Sequence, residues 1–335
     1  MNIYITNING VGGTAQVAQN MIANIAARYF NARPMGIYHY DWPDEPDESR
    51  NARLDGIIAP LQAGDILIIQ MPTWMPNPWT MALLDHIAAY GAHVVIFIHD
   101  IESQMNHAWA NQLQGEISIY NRSELIITHS QQMLDFLRQH GLTVQKSVVL
   151  GIMDHPTKMD LGPLPTYKPV MTYAGPNDPK AAFIKSWNSD DVKLRIYDHQ
   201  HDWGKDKNID FIGWHEDSEL LIDLRQNAGF GLVWSDDPYW NNYMKMNSSF
   251  KLSTYLAAGI PVIARPSLTQ AKLIQDEQLG LLADNMADAQ KQVLAMSPQQ
   301  YQQMVKGIDR YANIIREGIF TKRALATALY KLFNK

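Results

Sequence analysis

A lysine follows a run of small polar residues in Asn247-Ser248-Ser249-Phe250-Lys251. Such residues before an apolar-periodic stretch predict a helix start: Ser248 or Ser249 as N-cap, residues 250–258 as helix, Gly259 as its stop. The first N–H groups of a helix lack intrahelical partners and carry partial positive charge, so a lysine beside them is favourable only near an anion. Helix terminus and Lys251 together predict a pyrophosphate site able to stabilise charge on a departing group; an ordinary solvated lysine is the competing reading. A second candidate, Asn9-Gly10-Val11-Gly12-Gly13-Thr14-Ala15, ends an apolar run and lets backbone approach a ligand at the next helix start. It also matches a dinucleotide-binding fingerprint, although the acid that should follow, Asp41, is displaced beyond the usual distance, and a tight structural turn would need the same glycines. A third, His99-Asp100, closes an apolar run and puts polar side chains at a strand end where a ligand could lie, unless His99 is a hydrogen-bonded core histidine.

These residues need positioning elements. Short apolar, β-branched runs alternate with segments of helical period, the pattern of βα units around parallel sheets. Strands are predicted at 2–8, 36–39, 65–70, 93–99, 125–129 and 147–150, with helices near 13–29, 79–90 and 131–140. A stretch with prolines at 156, 163, 165 and 169 reads as a linker. The pattern then restarts, with strands at 170–173, 193–197, 209–212, 230–233, 261–264 and 281–282 and helices near 218–227, 250–258 and 270–276. Two helical stretches follow Ser297-Pro298. The expected organisation is an α/β chain with one Rossmann-like domain over 1–155, a linker over 156–169, a second such domain over 170–317, and a terminal helix over 318–335 that packs back on the first domain. Ligands of such sheets bind beyond the carboxyl ends of the strands, so two facing domains imply an interdomain cleft. Trp74 and Trp79, after the third strand, are expected on a loop there, stacking on a ligand or anchoring the loop.

Composition removes several classes of function. A net charge of -6 over 335 residues gives no general reason to bind nucleic acid. The absence of cysteine excludes disulfides and thiolate zinc sites. No signal-peptide pattern and no long apolar run appear, which leads us to expect a cytoplasmic chain without an integral membrane segment. Asp236-Asp237 and Asp44-Glu45 could be read as metal carboxylates, but the surrounding pattern is wrong for such a site and the histidines lack ligand spacing. No metal and no cofactor are expected.

The chain resembles the GT-B glycosyltransferases, and within them the glucosyltransferases that add the second sugar to serine-rich repeat adhesins in streptococci and lactobacilli. The carrying residues are Gly231-Leu232-Val233-Trp234, then Tyr243 and Asn247, then Lys251-Leu252-Ser253-Thr254-Tyr255-Leu256-Ala257-Ala258-Gly259-Ile260-Pro261-Val262-Ile263. Gly12-Gly13-Thr14 matches the family's glycine loop, and the strand ending in His99-Asp100 matches another of its features. The resemblance implies a UDP-sugar, glucose or N-acetylglucosamine, as co-substrate held mainly by the second domain. It implies retaining transfer in which the leaving phosphate takes the acceptor proton, a GlcNAc-modified serine-rich adhesin as acceptor, and a homotetramer. It implies donor contacts at Gly13, Thr14, Tyr243, Asn247, Ser249, Lys251, Leu252, Ser253 and Thr254. It adds phosphate contacts at Lys180 or Asn177, in the loop after the first strand of the second domain, and Trp214 in the region that meets the nucleobase. His99, Asp100 and Lys251 are the catalytic candidates and Trp74 the acceptor platform. One departure is Thr254, where many retaining GT-B enzymes carry a glutamate that contacts the donor ribose. The rival readings are an NAD(P)-dependent nucleotide-sugar dehydrogenase or epimerase, and a non-catalytic binding partner built on a glycosyltransferase fold.

Overall fold

The computed structural model describes residues 1–176, 179–198, 208–227 and 229–334. The chain divides into two compact units, Met1–Gly151 with Phe320–Lys335, and Ile152–Ile319. In the first unit the strands are β1 (Ile3–Asn9), β2 (Arg33–Tyr38), β3 (Ile66–Met71), β4 (His93–Ile98), β5 (Leu125–Thr128) and β6 (Lys146–Val149). They pair in parallel in the order β2-β1-β3-β4-β5-β6. A parallel sheet is covered on both faces, and β3, Ile-Leu-Ile-Ile-Gln-Met, is accordingly buried at every position. The covering helices include Gly13–Phe30 and Asn77–Tyr90. Strand order reverses between β1 and β3, so the loops leaving these two strands flank the unit's switch point.

The strand β2 begins three residues before the expected 36 and takes in Pro34. The bond from His39 N–H to Asn9 O fixes the register so that residue 34 turns its backbone away from β1, where a missing N–H costs no ladder bond. A helix over Asp47–Ile58 was not expected: it buries only Leu54 and Ile58, too few positions to show a period. The terminal helix Ile319–Phe333 meets β6 through Lys331 Nζ to Ser147 O (3.0 Å) and Lys146 Nζ to Leu332 O (2.7 Å).

The second unit contains β7 (Val170–Ala174), β8 (Lys193–Tyr197), β9 (Ile209–Phe211), β10 (Phe230–Val233), β11 (Val262–Ala264) and β12 (Gly280–Leu282), all parallel, in the order β12-β11-β10-β7-β8-β9. Read from the other edge this is the Rossmann order, third-second-first-fourth-fifth-sixth, with its switch point between β7 and β10. Residues 156–169, expected as a linker, lie within this unit. Leu161 is buried, the Pro163 carbonyl accepts from Arg225 Nε (2.9 Å), and the Pro165 carbonyl accepts from Gln302 Nε2 (2.7 Å). The prolines here set a tethered extended strap on the second core.

Candidate functional site

At the switch point of the second unit, the helix Phe250–Ala258 runs from the loop beyond β10 back into β11. Tyr255 fixes its height. The Tyr255 ring lies flat against Gly231 of β10, where any Cβ would overlap it, and its hydroxyl accepts from Ala174 N–H at the end of β7 (2.8 Å). One turn earlier on the same helix face stands Lys251. A Cβ on Gly175, the residue after β7, would lie 2.7 Å from Lys251 Cε and 2.8 Å from Nζ, so the absent side chain of Gly175 is what admits the ammonium. The ammonium also stands 5.3 Å from the centre of the Tyr173 ring. A cation, a helix N-terminus and a side-chain-free loop thus converge at the carboxyl ends of β7 and β10, an arrangement whose charge suits an anion such as a diphosphate. Gly175, Gly231, Tyr173 and Tyr255 were missed as site residues; the Gly231 within a buried strand and the four-residue spacing from Lys251 to Tyr255 were the available signals.

Around the lysine the loop is held from behind. Ser249 occupies the N-cap position, but the cap expected of its hydroxyl is absent. Ser248 Oγ accepts from Met153 N–H (3.3 Å), and Ser253 Oγ donates to Met153 O (2.7 Å). Leu252 and Ser253 are fully buried, so their part is to seat the helix. Thr254 Oγ1 bonds Phe250 O (3.0 Å) and His155 Nδ1 (3.2 Å); His155 stacks on Phe250 and reaches Asp217 through Nε2 (3.0 Å). Thr254 is therefore tied through a buried imidazole to Asp217, the first residue of another helix. Tyr243, buried beside Trp240, accepts the N–H of Asn247 at its carbonyl (3.1 Å). Asn247 is buried with Oδ1 lacking a hydrogen-bond partner among the described residues.

Lys180 lays its ammonium 3.6 Å from the centre of the Trp240 ring, while its carbonyl accepts from Asp236 N–H (2.9 Å). Asn177 lies outside the described residues. Trp214 follows β9 and Gly213 and is 60% exposed, which makes its face available rather than part of the core. Asp236 is paired with Arg265 (3.1 Å), and Asp237 caps the helix Pro238–Tyr243 by accepting from Trp240 N–H (2.6 Å). Among the described residues no cluster of three or more His, Asp or Glu side chains stands close enough to hold a metal.

In the first unit, β1 runs into Gly10, Gly12 and Gly13, all at positive φ (+85°, +73° and +60°), a conformation that strains other residues. Gly12 and Gly13 have open space where a Cβ would stand, and Gly13-Thr14 are the exposed first residues of the helix Gly13–Phe30. Below the loop lies a buried polar spine. Gln70 Nε2 donates to Thr6 O (2.6 Å) and Gln19 O (3.1 Å), which leaves Gln70 Oε1 to accept from His99 Nε2–H (2.8 Å). His99 is therefore the Nε2–H tautomer, its Nδ1 buried and without a hydrogen-bond partner among the described residues. Burial, and then the neighbouring His129, lowers its pKa to about 3, so the ring is neutral at physiological pH and a weak proton acceptor. Asp100 is partly exposed next to it. Glu102 has its pKa raised to about 7 by burial, with Glu116 and Asp100 adding to the rise. Trp74 is held at φ +57° on the loop after β3, and Trp79 is buried, donating Nε1–H to Tyr40 Oη (3.0 Å). Trp79 is the anchor and Trp74 the partly exposed ring. Asp41 lies in the loop beyond β2, away from the strand end a dinucleotide ribose would need.

Residues 2–152 match the family described as glucosyltransferase 3-like, N-terminal domain, and residues 171–328 match its C-terminal domain. Glucosyltransferase 3 of Streptococcus parasanguinis is 33% identical over 333 residues, covering 99% of each chain. Glucosyltransferase 3 of Streptococcus gordonii is 32% identical over 342 residues, covering 100% of each. Among solved structures, HepE of Anabaena in complex with UDP superposes with a TM-score of 0.69 at 13% identity, covering 99% of this chain and 100% of that one. That likeness, with the two Rossmann-like sheets, establishes the GT-B fold. The family match sets aside the dehydrogenase reading of the glycine loop. No helix among the described residues is long and apolar enough to cross a membrane.

Proposed function

Because the chain belongs to the glucosyltransferase 3-like family of glycosyltransferases, we propose that it transfers glucose or N-acetylglucosamine from a UDP-sugar, with retention, to a GlcNAc-modified serine-rich repeat adhesin. The observation that carries the donor half is the Lys251 ammonium set against Gly175 at the switch point between β7 and β10. A diphosphate there gains a charge-assisted bond from Lys251 and sits at the N-terminus of the helix Phe250–Ala258. Lys180, or Asn177 in its place, supplies a further phosphate contact. Trp214 meets the uracil, and Asp217 with His155 takes over the ribose contact that Thr254 cannot make. Tyr243, Asn247 and Ser249 shape the loop on which the donor rests.

In the reaction the acceptor hydroxyl oxygen bonds to the anomeric carbon while the bond from that carbon to the diphosphate oxygen breaks, its electron pair leaving with UDP. The hydroxyl proton passes to the departing phosphate oxygen, so no separate base is required. His99, with its low pKa, serves as a neutral hydrogen-bonding wall, and Asp100 and Trp74 orient the acceptor. Gly13-Thr14 lets backbone come close to the reacting groups. Fixed cations do the work a metal would otherwise do, and the active species is a cytoplasmic homotetramer.

A screen of nucleotide-sugars against a GlcNAc-serine peptide, read by product mass and by the anomeric coupling in proton NMR, tests this reading. A hexose or N-acetylhexosamine added from a UDP donor with retained configuration supports it. Absence of transfer from every UDP donor, or an inverted product, overturns the corresponding part. Light scattering tests the tetramer.

A further inference from the structure

A groove of about 630 Å³ lies along the outer edge of the first sheet, between β2 and the helix Asp47–Ile58. We infer that this groove docks the acceptor polypeptide in an extended conformation, as an additional strand beside β2, and feeds it to the glycine loop. The inference rests on the acceptor reading above, since it names how a polypeptide acceptor would be held.

The backbone parity of β2 supplies the first argument. His39 donates to Asn9 O (2.8 Å), which turns residues 35, 37 and 39 toward β1 and residues 34, 36 and 38 outward. Pro34, Gly36 and Tyr38 are exposed, so the edge offers the Gly36 N–H and C=O, the Tyr38 N–H and the Pro34 C=O to an incoming strand. This is the hydrogen-bond template of strand addition, and Pro34 removes one donor and so discourages indiscriminate pairing.

Two glycines supply the second. Gly36 in the edge strand marks a place where another backbone can come close. Gly56 sits inside the helix Asp47–Ile58, where glycine is unfavourable, yet a Cβ there would meet no protein atom within 4 Å. Packing does not require it; an occupant of the groove would.

Charge and continuity supply the rest. The Arg33 guanidinium contacts the Tyr4 hydroxyl (3.4 Å) and forms no ion pair with a carboxylate among the described residues, so it is placed to take carbonyls, hydroxyls or an acidic side chain of a docked peptide. At the other end of β2 the Tyr38 ring, 69% exposed, comes within 3.0 Å of where a Gly10 Cβ would stand. Tyr38, which lines the groove, thus touches the start of the glycine loop at Gly10, and a chain lying along β2 runs toward the loop proposed for the acceptor. Six residues of β2 correspond to roughly 20 Å of extended chain.

Two acceptors separate the arms of the test: GlcNAc-serine amide, too short to reach the groove, and a serine-rich peptide of about 15 residues with one GlcNAc-serine, long enough to cover it. Wild type should prefer the long acceptor by about tenfold or more in kcat/KM, and Gly56→Leu and Arg33→Glu should each remove most of that preference while leaving transfer to the amide unchanged. An equal rate on both acceptors in wild type, or a preference that survives both variants, overturns the groove while the transferase reading stands. If no acceptor is glycosylated the transferase reading fails, and fluorescence anisotropy of the labelled long peptide still decides the groove: binding weakened by both variants supports it, and absent or unaltered binding refutes it. Thermal unfolding of each variant checks that the fold is intact.

Discussion

Replacing Lys251 by alanine removes the ammonium that Gly175 admits to the end of β7. A charge-assisted bond to a diphosphate is worth about 1.5–3 kcal/mol, so UDP should bind roughly 10- to 150-fold more weakly at 1.4 kcal/mol per decade. The ligand-free protein should respond differently. A lysine at a helix N-terminus opposes the helix dipole by about 0.3–1 kcal/mol, and its contact with the Tyr173 ring, 5.3 Å away, returns about 0.5–1 kcal/mol. These two contributions nearly cancel, so Lys251→Ala should lose far more affinity than stability. Gly175→Ala is the complementary perturbation. Its new Cβ would stand 2.8 Å from Nζ, and the flexible lysine must swing away, so affinity falls although the charge is retained. Calorimetric titration with UDP and urea unfolding of both variants make the comparison. Unchanged UDP affinity in Lys251→Ala would refute the phosphate site, and a fall in stability equal to the fall in affinity would show that the lysine merely supports the fold.

Transfer should continue in EDTA, because the proposed charge stabilisation comes from Lys251, Lys180 and helix N–H groups; loss of activity restored by manganese or magnesium would contradict it. Gly13→Val forces a β-branched residue to φ +60°, at a cost on the order of 1–3 kcal/mol in stability, and should reduce turnover more than UDP affinity; wild-type turnover in both Gly13→Val and Thr14→Val would leave the loop a structural turn. For Glu102 the folded pKa of about 7 lies above its ordinary 4.5, so its contribution is intact below pH 4.5 and is lost as pH rises through 7. Glu102→Gln should therefore gain on the order of 1–3 kcal/mol relative to wild type between pH 5 and pH 8, measured by urea unfolding at each pH, and a constant difference would show that the carboxyl is not held protonated.

The sheets were readable because a strand buried on both faces must be apolar throughout. The run Ile66–Met71 announces itself, and so do β4, β5 and β10. Elements that bury little were not readable. The helix Asp47–Ile58 buries two positions in twelve residues, and β2 contains a proline whose tolerance depends on which way its backbone faces. The same limit applies to the candidate site. Lys251 stood out because its charge conflicts with local helix electrostatics, a conflict visible in one dimension. The residues that resolve it, Gly175 and Tyr173, come from a segment about 75 residues away, and only the pairing of β7 with β10 brings them to the same strand ends.

His99 shows why residue type alone could not settle a role. A histidine at the end of an apolar strand is a candidate base until its partners are known, and those partners are set by Gln70, whose amide is oriented by two backbone carbonyls on β1 and the first helix. With Nε2–H committed to Gln70 and the pKa held near 3 by burial and His129, the neutral imidazole is too weak a proton acceptor to serve as an effective base. A retaining reaction that returns the acceptor proton to the leaving phosphate has no need of one. The buried spine under the first switch point and the cation at the second are each compatible with the proposed chemistry, in which the protein would fix charge and geometry and the diphosphate would carry the proton.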